Sequence, residues 1–325
     1  MTSSPVSELK TGGEVPIKPQ SVQVELVTKR QAWVHALRLR TLPLALSSIL
    51  MGSFLAAYTG QFQTVIFALA ALTTIFLQVL SNLANDYGDS VHGADSQERQ
   101  GPVRSVQAGI ISLAEMKKAI YFTAAMAFIS GLTLLYVSLQ DWLLFLVFLG
   151  LGILAIFAAV TYTAGKKPYG YAGLGDISVF TFFGLLGVLG TYFLHTSTFE
   201  FAIVLPAISL GLFSTAVLNI NNIRDINSDK LAGKKSIPVR IGRKNAVLYN
   251  WLLILGGNLA LLLFVLIHGA WGALASLLVF PMMFVIGKEV AQNTDATTLD
   301  PYLKKMAIST LLWVFAFGLG LLLWR

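Results

Sequence analysis

Long apolar runs recur along this 325-residue chain, separated by short polar segments. Nine of them lie at roughly 34–58, 62–84, 115–138, 142–163, 174–194, 201–221, 247–267, 270–287 and 306–324. At 1.5 Å rise per residue, roughly 20 apolar residues cross about 30 Å of hydrocarbon. The pattern predicts an all-α integral membrane protein with nine transmembrane helices. The short run at 270–287 and the polar-edged first run give the weakest signals. Residues 1–31 are polar, carry Lys10, Lys18, Lys29 and Arg30, and contain no apolar h-region. They read as a cytoplasmic tail rather than a cleavable signal peptide, with an amphipathic collar at the membrane surface as the alternative. Residues 32–325 then form the intramembrane domain.

Two polar segments interrupt this pattern at the ends of the second and sixth runs. In the first, Asn82, Asn85, Asp86 and Asp89 stand at i, i+3, i+4 and i+7, one stripe on a helix face. Asp95, Arg99 and Arg104 follow. In the second, Asn221, Asp225 and Asp229 stand at successive i+4 steps, with Asn219, Asn222, Arg224, Lys234 and Arg240 around them. Asn82-x-x-Asn85 parallels Asn219-x-x-Asn222, and Pro102-Val103-Arg104 parallels Pro238-Val239-Arg240. Residue type, offset and position in the topology agree, which predicts a duplicated four-helix unit. The copies span about 32–163 and about 170–290, with a last helix at about 302–325. Each copy has an even number of spans, so the two share one orientation and enclose a central cavity. Glycines beyond each stripe, at Gly93, Gly101 and Gly233, predict that helix gives way to loop.

Composition agrees with a membrane bundle: 55% of residues are hydrophobic and mean hydropathy is +0.71. A net charge of +7 invites a polyanion partner, and its distribution removes that reading. All Lys and Arg but Arg325 fall at or before the start of the first run, in the even-to-odd connections, or, for Lys117 and Lys118, in the first turn of the run that follows one. This positive-inside asymmetry places the N-terminus and both acidic segments in the cytoplasm and the C-terminus on the opposite side. No nucleic-acid partner is needed. The absence of cysteine excludes disulfides and thiolate chemistry.

Only 12% of the chain is charged, so acids grouped twice beside hydrocarbon point to a site. Two carboxylates one turn apart suit a hard cation, and Mg²⁺ is typically held by one or two carboxylates plus substrate phosphate. Asp86, Asp89, Asp225 and Asp229 are the candidate metal ligands and catalytic groups. Arg99, Arg104, Lys234 and Arg240 are candidates for diphosphate oxygens. A solvated loop with surface ion pairs accounts for one such segment, but poorly for two with the same order of residues. Asn82 and Asn85 either join helices by hydrogen bonds or orient the aspartates. A third segment, Tyr162 to Asp176, carries Lys166, Lys167, Tyr169 and Tyr171 on the same face. Tyr169 and Tyr171 could cap a substrate cavity and shield a cation. The four histidines form no spaced ligand set. A cation-coupled secondary transporter is the rival class, but transporter sites lie near the bilayer midplane on broken helices.

The run Asn85-Asp86-Tyr87-Gly88-Asp89, continued through Gly93, Asp95, Arg99, Gly101-Pro102 and Arg104, resembles the first aspartate motif of UbiA-type intramembrane aromatic prenyltransferases. Asn221-Asn222-Ile223-Arg224-Asp225, with Asp229, Lys234 and Arg240, is similar to their second motif. The longer tail of the first motif and the Tyr162–Gly175 run most resemble the 1,4-dihydroxy-2-naphthoate polyprenyltransferase branch. Lys166-Lys167-Pro168 departs from the branch pattern, which has Gly-Pro there. The resemblance covers about residues 33–325. It implies Mg²⁺-dependent transfer of a polyprenyl group from an isoprenyl diphosphate to the naphthoate, with decarboxylation to demethylmenaquinone. The same superfamily includes enzymes for other acceptors such as 4-hydroxybenzoate and homogentisate. For the proton-accepting base, Tyr169, Tyr171 and Asp176 are the candidates.

Overall fold

The computed structural model describes residues 28–92 and 105–324. Asp95 and the candidate diphosphate-binding residues Arg99 and Arg104 therefore fall outside the described residues. Among the described residues all regular structure is helical, and nine helices are long and apolar enough to span a membrane. Spans one to four are Lys29–Tyr58, Thr64–His92, Leu113–Ser138 and Trp142–Thr161. Spans five to nine are Gly175–Thr196, Phe201–Arg224, Ile237–His268, Trp271–Gln292 and Ala296–Leu323.

Several boundaries depart from the hydropathy pattern, each for a local reason. Thr28 caps a helix at Lys29–Leu37 through a capping box with Gln31. Residues 29–31 are therefore helical rather than part of the tail. That helix buries Ala32 and Ala36 against Leu80, Leu83 and Ala84 of span two, as a collar would. It stops at Arg38, whose φ of 48° is left-handed, before the chain re-enters helix at Leu42. Span seven begins at Ile237, well before the apolar run, because its first turns are amphipathic; Gly242, at φ 77°, kinks it. Span five contains a π-helical stretch at Phe180–Leu189. The wider winding offers the Phe183 carbonyl to Ser48 Oγ of span one at 2.6 Å.

Span two is the element that carries the first motif into place. Its 29 residues make about 44 Å of helix, longer than the hydrocarbon core. Asp86 lies 22 residues from its start, about 33 Å along, at the far edge of the apolar layer. Because spans alternate in direction, the ends of spans two, four and six share one face.

The largest core joins spans one and five to nine around Trp313, Phe213 and Phe317. Trp313 stacks on Phe317 and meets Phe213 edge-on at 5.0 Å. Span four is the least buried and packs on spans two and three. Spans one to five leave an apolar cavity of about 600 Å³ between them. On span two its lining runs from Ala70 to Asn85, about 22 Å along the helix.

Candidate functional site

At the cavity's motif-bearing end, Asp86 and Asp89 sit on the last turns of span two, 1% and 7% exposed. The chain between spans four and five crosses over them as a strap. Thr163 Oγ1 donates to Asn85 Oδ1 at 2.9 Å and to the Ala84 carbonyl at 3.1 Å. A Cβ on Gly88 would stand 2.5 Å from the Thr163 backbone, so the helix and strap touch main chain to main chain. Tyr171 then donates its hydroxyl to Asp89 Oδ1 at 2.8 Å, and its ring lies against His92.

The same strap holds the second motif. The Tyr171 carbonyl accepts from Lys235 N at 2.9 Å, and the Ala172 carbonyl accepts from Arg240 Nη2 at 2.5 Å. Gly173, at φ 82°, lies against both: a Cβ there would meet the Lys235 carbonyl at 2.2 Å. The acidic stripe itself is not one helix. Span six ends at Arg224, Asp225 sits at the junction, and a short helix at Ile226–Leu231 carries Asp229. The Asp229 amide still donates to the Asp225 carbonyl at 2.8 Å, keeping the two acids one turn apart.

Lys234 links the motifs electrostatically. Its Nζ pairs with Asp229 Oδ1 at 3.2 Å, and Ser236 Oγ donates to Asp229 Oδ2 at 3.1 Å. Burial works against its charge, yet Asp229, Tyr162, Asp89 and Asp225 together hold its pKa above the ordinary lysine value. A single ammonium thus feels acids from both motifs. Burial pushes the Asp229 carboxyl up, and Lys234 only partly offsets this.

Three tyrosines of the strap take different parts. Tyr162 and Tyr169 line the cavity. Burial pushes the Tyr162 hydroxyl up to about 12, so near neutral pH it is a donor and no base. Burial also raises Tyr169, whose hydroxyl donates to the Ala158 carbonyl at 3.0 Å and can accept from Ser178 Oγ at 3.1 Å. Tyr171 faces Asp89. Asp176, buried at the start of span five, accepts from Tyr249 at 3.2 Å.

The other expected residues are placed as follows. Asn85 lines the cavity mouth beside Thr163. Asn82 also lines the cavity, but its amide donates to the Leu37 carbonyl and Thr41 Oγ1, both at 3.0 Å, closing the break in span one. Arg240 reaches the strap rather than a carboxylate. Thr163, Ser236 and Asp300 join the site without any signal in the motif spacing. A hydroxyl or a remote acid becomes a partner only once the chain is folded.

The donor set fits a hard divalent cation. Asp86, Asp89, Asp225 and Asp229 are all buried, and among the described residues Arg224 pairs with Asp225 and the half-buried Lys234 pairs with Asp229. Among the described residues no three acidic or histidine side chains form a ready-made cage. Each motif instead offers a pair of oxygen ligands, as suits an ion that keeps water and takes phosphate oxygen.

Comparisons with known proteins agree with this geometry. A sequence model of the UbiA prenyltransferase family matches residues 45–311. The chain is 45% identical over 299 residues to the 1,4-dihydroxy-2-naphthoate octaprenyltransferase of Escherichia coli (strain K12), covering 91% of this chain and 97% of that protein. It is 44% identical over 298 residues to the protein of that name from Haemophilus influenzae, covering 91% and 97%. Among solved structures, a UbiA homolog from Aeropyrum pernix K1 superposes with a TM-score of 0.60 at 17% identity, covering 89% of this chain and 98% of that one. A UbiA homolog from Archaeoglobus fulgidus bound to GPP and Mg²⁺ gives a TM-score of 0.58 at 17% identity, covering 87% and 98%. The paired acidic motifs, strapped together over an apolar cavity, are thus those of a multi-pass membrane protein that belongs to the UbiA prenyltransferase family.

Proposed function

We propose that this protein transfers a polyprenyl group from an isoprenyl diphosphate to 1,4-dihydroxy-2-naphthoate in a Mg²⁺-dependent reaction, with loss of carbon dioxide to give demethylmenaquinol, the two-electron-reduced form of demethylmenaquinone. The observation that carries the donor half is that the buried acids follow directly on Asn82 and Asn85, which line one end of a long apolar cavity. A prenyl diphosphate has that same division, a polyanionic head on a hydrocarbon tail. The naphthoate acceptor rests on the names of relatives at 44 and 45% identity.

In this reading Asp86, Asp89, Asp225 and Asp229 would hold Mg²⁺, which would supply positive charge to the departing diphosphate. Lys234, already between the motifs, is placed to turn from Asp229 to a phosphate oxygen. Arg99, Arg104 and Arg240 are further candidates for that role. The tail lies along Ala70, Leu77, Phe182 and Leu186, where water is excluded from the allylic cation. Tyr162 and Tyr169, at the cavity mouth, orient the aromatic ring, and Asn82 and Asn85 border the head group. The ring carbon that bears the carboxylate attacks the allylic carbon as diphosphate leaves with the C–O electron pair; the bond to the carboxylate then breaks, its electrons return to the ring and carbon dioxide departs.

The halves at about 32–163 and about 170–290 we read as copies of one four-helix unit. Spans two and three in one, and six and seven in the other, form the closest packed pairs. Positive-inside charge puts the motifs in the cytoplasm and the C-terminus across the inner membrane.

The deciding experiment incubates purified protein with Mg²⁺, a polyprenyl diphosphate and a panel of aromatic acids, then identifies products by mass. Demethylmenaquinol, or demethylmenaquinone once air has oxidised it during work-up, is the expected product. Turnover only with 4-hydroxybenzoate or homogentisate would replace the acceptor and keep the chemistry. No prenylated product with any acid would remove the proposal.

A further inference from the structure

Neighbouring residues on a helix do not face each other, yet Arg224 and Asp225 form a two-pronged ion pair. Arg224 Nε donates to Asp225 Oδ1 at 2.8 Å and Nη2 donates to Oδ2 at 2.7 Å. The pair is possible because helix geometry stops at Asp225, with φ −96° and ψ 12°. Freed from the helix, this carboxylate takes its direction from the guanidinium fork, which is planar and rigid. The Arg224 side chain is only 2% exposed, so its remaining N–H groups need partners inside the protein. Nη2 also donates to Asn221 Oδ1 at 2.9 Å, and Nη1 donates to Asp300 Oδ1 at 2.5 Å.

Asp300 lies outside both motifs, at the start of the long helix Asp300–Leu323 in span nine. Its second oxygen accepts from Arg40 Nη1 of span one at 2.9 Å. Charges therefore alternate along Arg40, Asp300, Arg224 and Asp225, and the row joins spans one, nine and six on the motif-bearing face. A cation drawing on Asp225 takes part of the negative charge that Arg224 depends on. With Asp300 in place, the buried guanidinium keeps a counter-charge while Asp225 shares its own. Without Asp300, Arg224 and the cation compete for one carboxylate.

We propose that Asp300 is a positioning residue for metal loading: through Arg224 it aims the Asp225 carboxylate and frees it to bind a divalent cation. The inference rests on the metal-diphosphate reading of the site. Its test titrates Mn²⁺, as a probe for Mg²⁺, into the full-length protein with inorganic diphosphate, counting free Mn²⁺ by electron paramagnetic resonance. Asp300→Asn keeps one acceptor oxygen for Arg224 and removes the charge together with the acceptor for Arg40. It should weaken Mn²⁺ binding about tenfold, the size expected for a group behind a metal ligand. Asp300→Glu should restore much of the affinity, and the KM for the aromatic acceptor should not move. A lower thermal midpoint in Asp300→Asn with unchanged Mn²⁺ affinity would make Asp300 a packing residue and overturn the inference. Failure of Asp300→Asn to fold would overturn it in the same way. If the wild-type protein itself binds no Mn²⁺ with diphosphate, the functional reading fails first and the inference with it.

Discussion

Asp229 is buried, paired with Lys234, and still holds its proton more tightly than an ordinary carboxyl, because burial outweighs the pairing. The consequence for pH follows by linkage. Its contribution to folding is fully present below the unfolded-state pKa and is lost as pH rises through the raised folded value. The metal-free protein should therefore lose thermal stability across that window, and Asp229→Asn should flatten the slope. Mg²⁺ with diphosphate should act oppositely, binding more tightly as pH rises and the proton leaves. Thermal unfolding at a series of pH values, with and without Mg²⁺, reads both effects; a slope identical in wild type and variant would refute the assignment. Asp86→Asn and Asp225→Asn should each cut prenyl transfer by about 100-fold or more, the loss expected when a charge-stabilising group is removed. Both should remain folded, since each is nearly isosteric and Asp300 still neutralises Arg224. Full activity with normal metal binding in either variant would remove these residues from the site.

Among the elements, the strap between spans four and five does more than its sequence announced. Its tyrosines and lysines read as an aromatic belt with a possible cap. In the fold it binds Asn85 and Asp89 on one side and Lys235 and Arg240 on the other. Tyr171→Phe keeps the ring against His92 and deletes only the donor to Asp89. It should weaken Mg²⁺ activation about tenfold, as for other groups behind a ligand, and cost about 1 kcal/mol of stability. Gly173→Ala should do more, since a side chain there is strained at φ 82° and meets the Lys235 carbonyl. Its expected signature is a raised KM for the diphosphate together with a lower thermal midpoint. An unchanged KM would show that the strap does not set the spacing of the two motifs.

At the scale of the whole molecule, the proposed function makes the cavity the element that selects donor length. Thr74 lines it partway between Ala70 and Asn85. Thr74→Trp should fill the deeper part, raising the KM for long prenyl diphosphates while dimethylallyl diphosphate reacts as before. Equal KM values across donor lengths in the variant would mean the tail runs elsewhere. Much of the molecule was legible beforehand. A span is set by composition and length, so nine apolar runs determined nine helices, and the i, i+3, i+4, i+7 spacing determined the polar face of span two. The same logic could not see the early start of span seven at Ile237 or the helix at Lys29–Leu37, since both carry polar residues among apolar ones. Asn82 shows the limit for a single residue: its spacing fits the stripe, but the break at Arg38 gives its amide two partners in span one. The row from Arg40 through Asp300 to Asp225 joins residues 260 and 76 positions apart, as no local period can. Sequence alone determined which chemistry the chain carries and at which helix ends, because hydrophobicity and helical spacing are local. Only the tertiary structure decided which partner each buried charge has, because burial forces a charge to find a partner wherever packing supplies one.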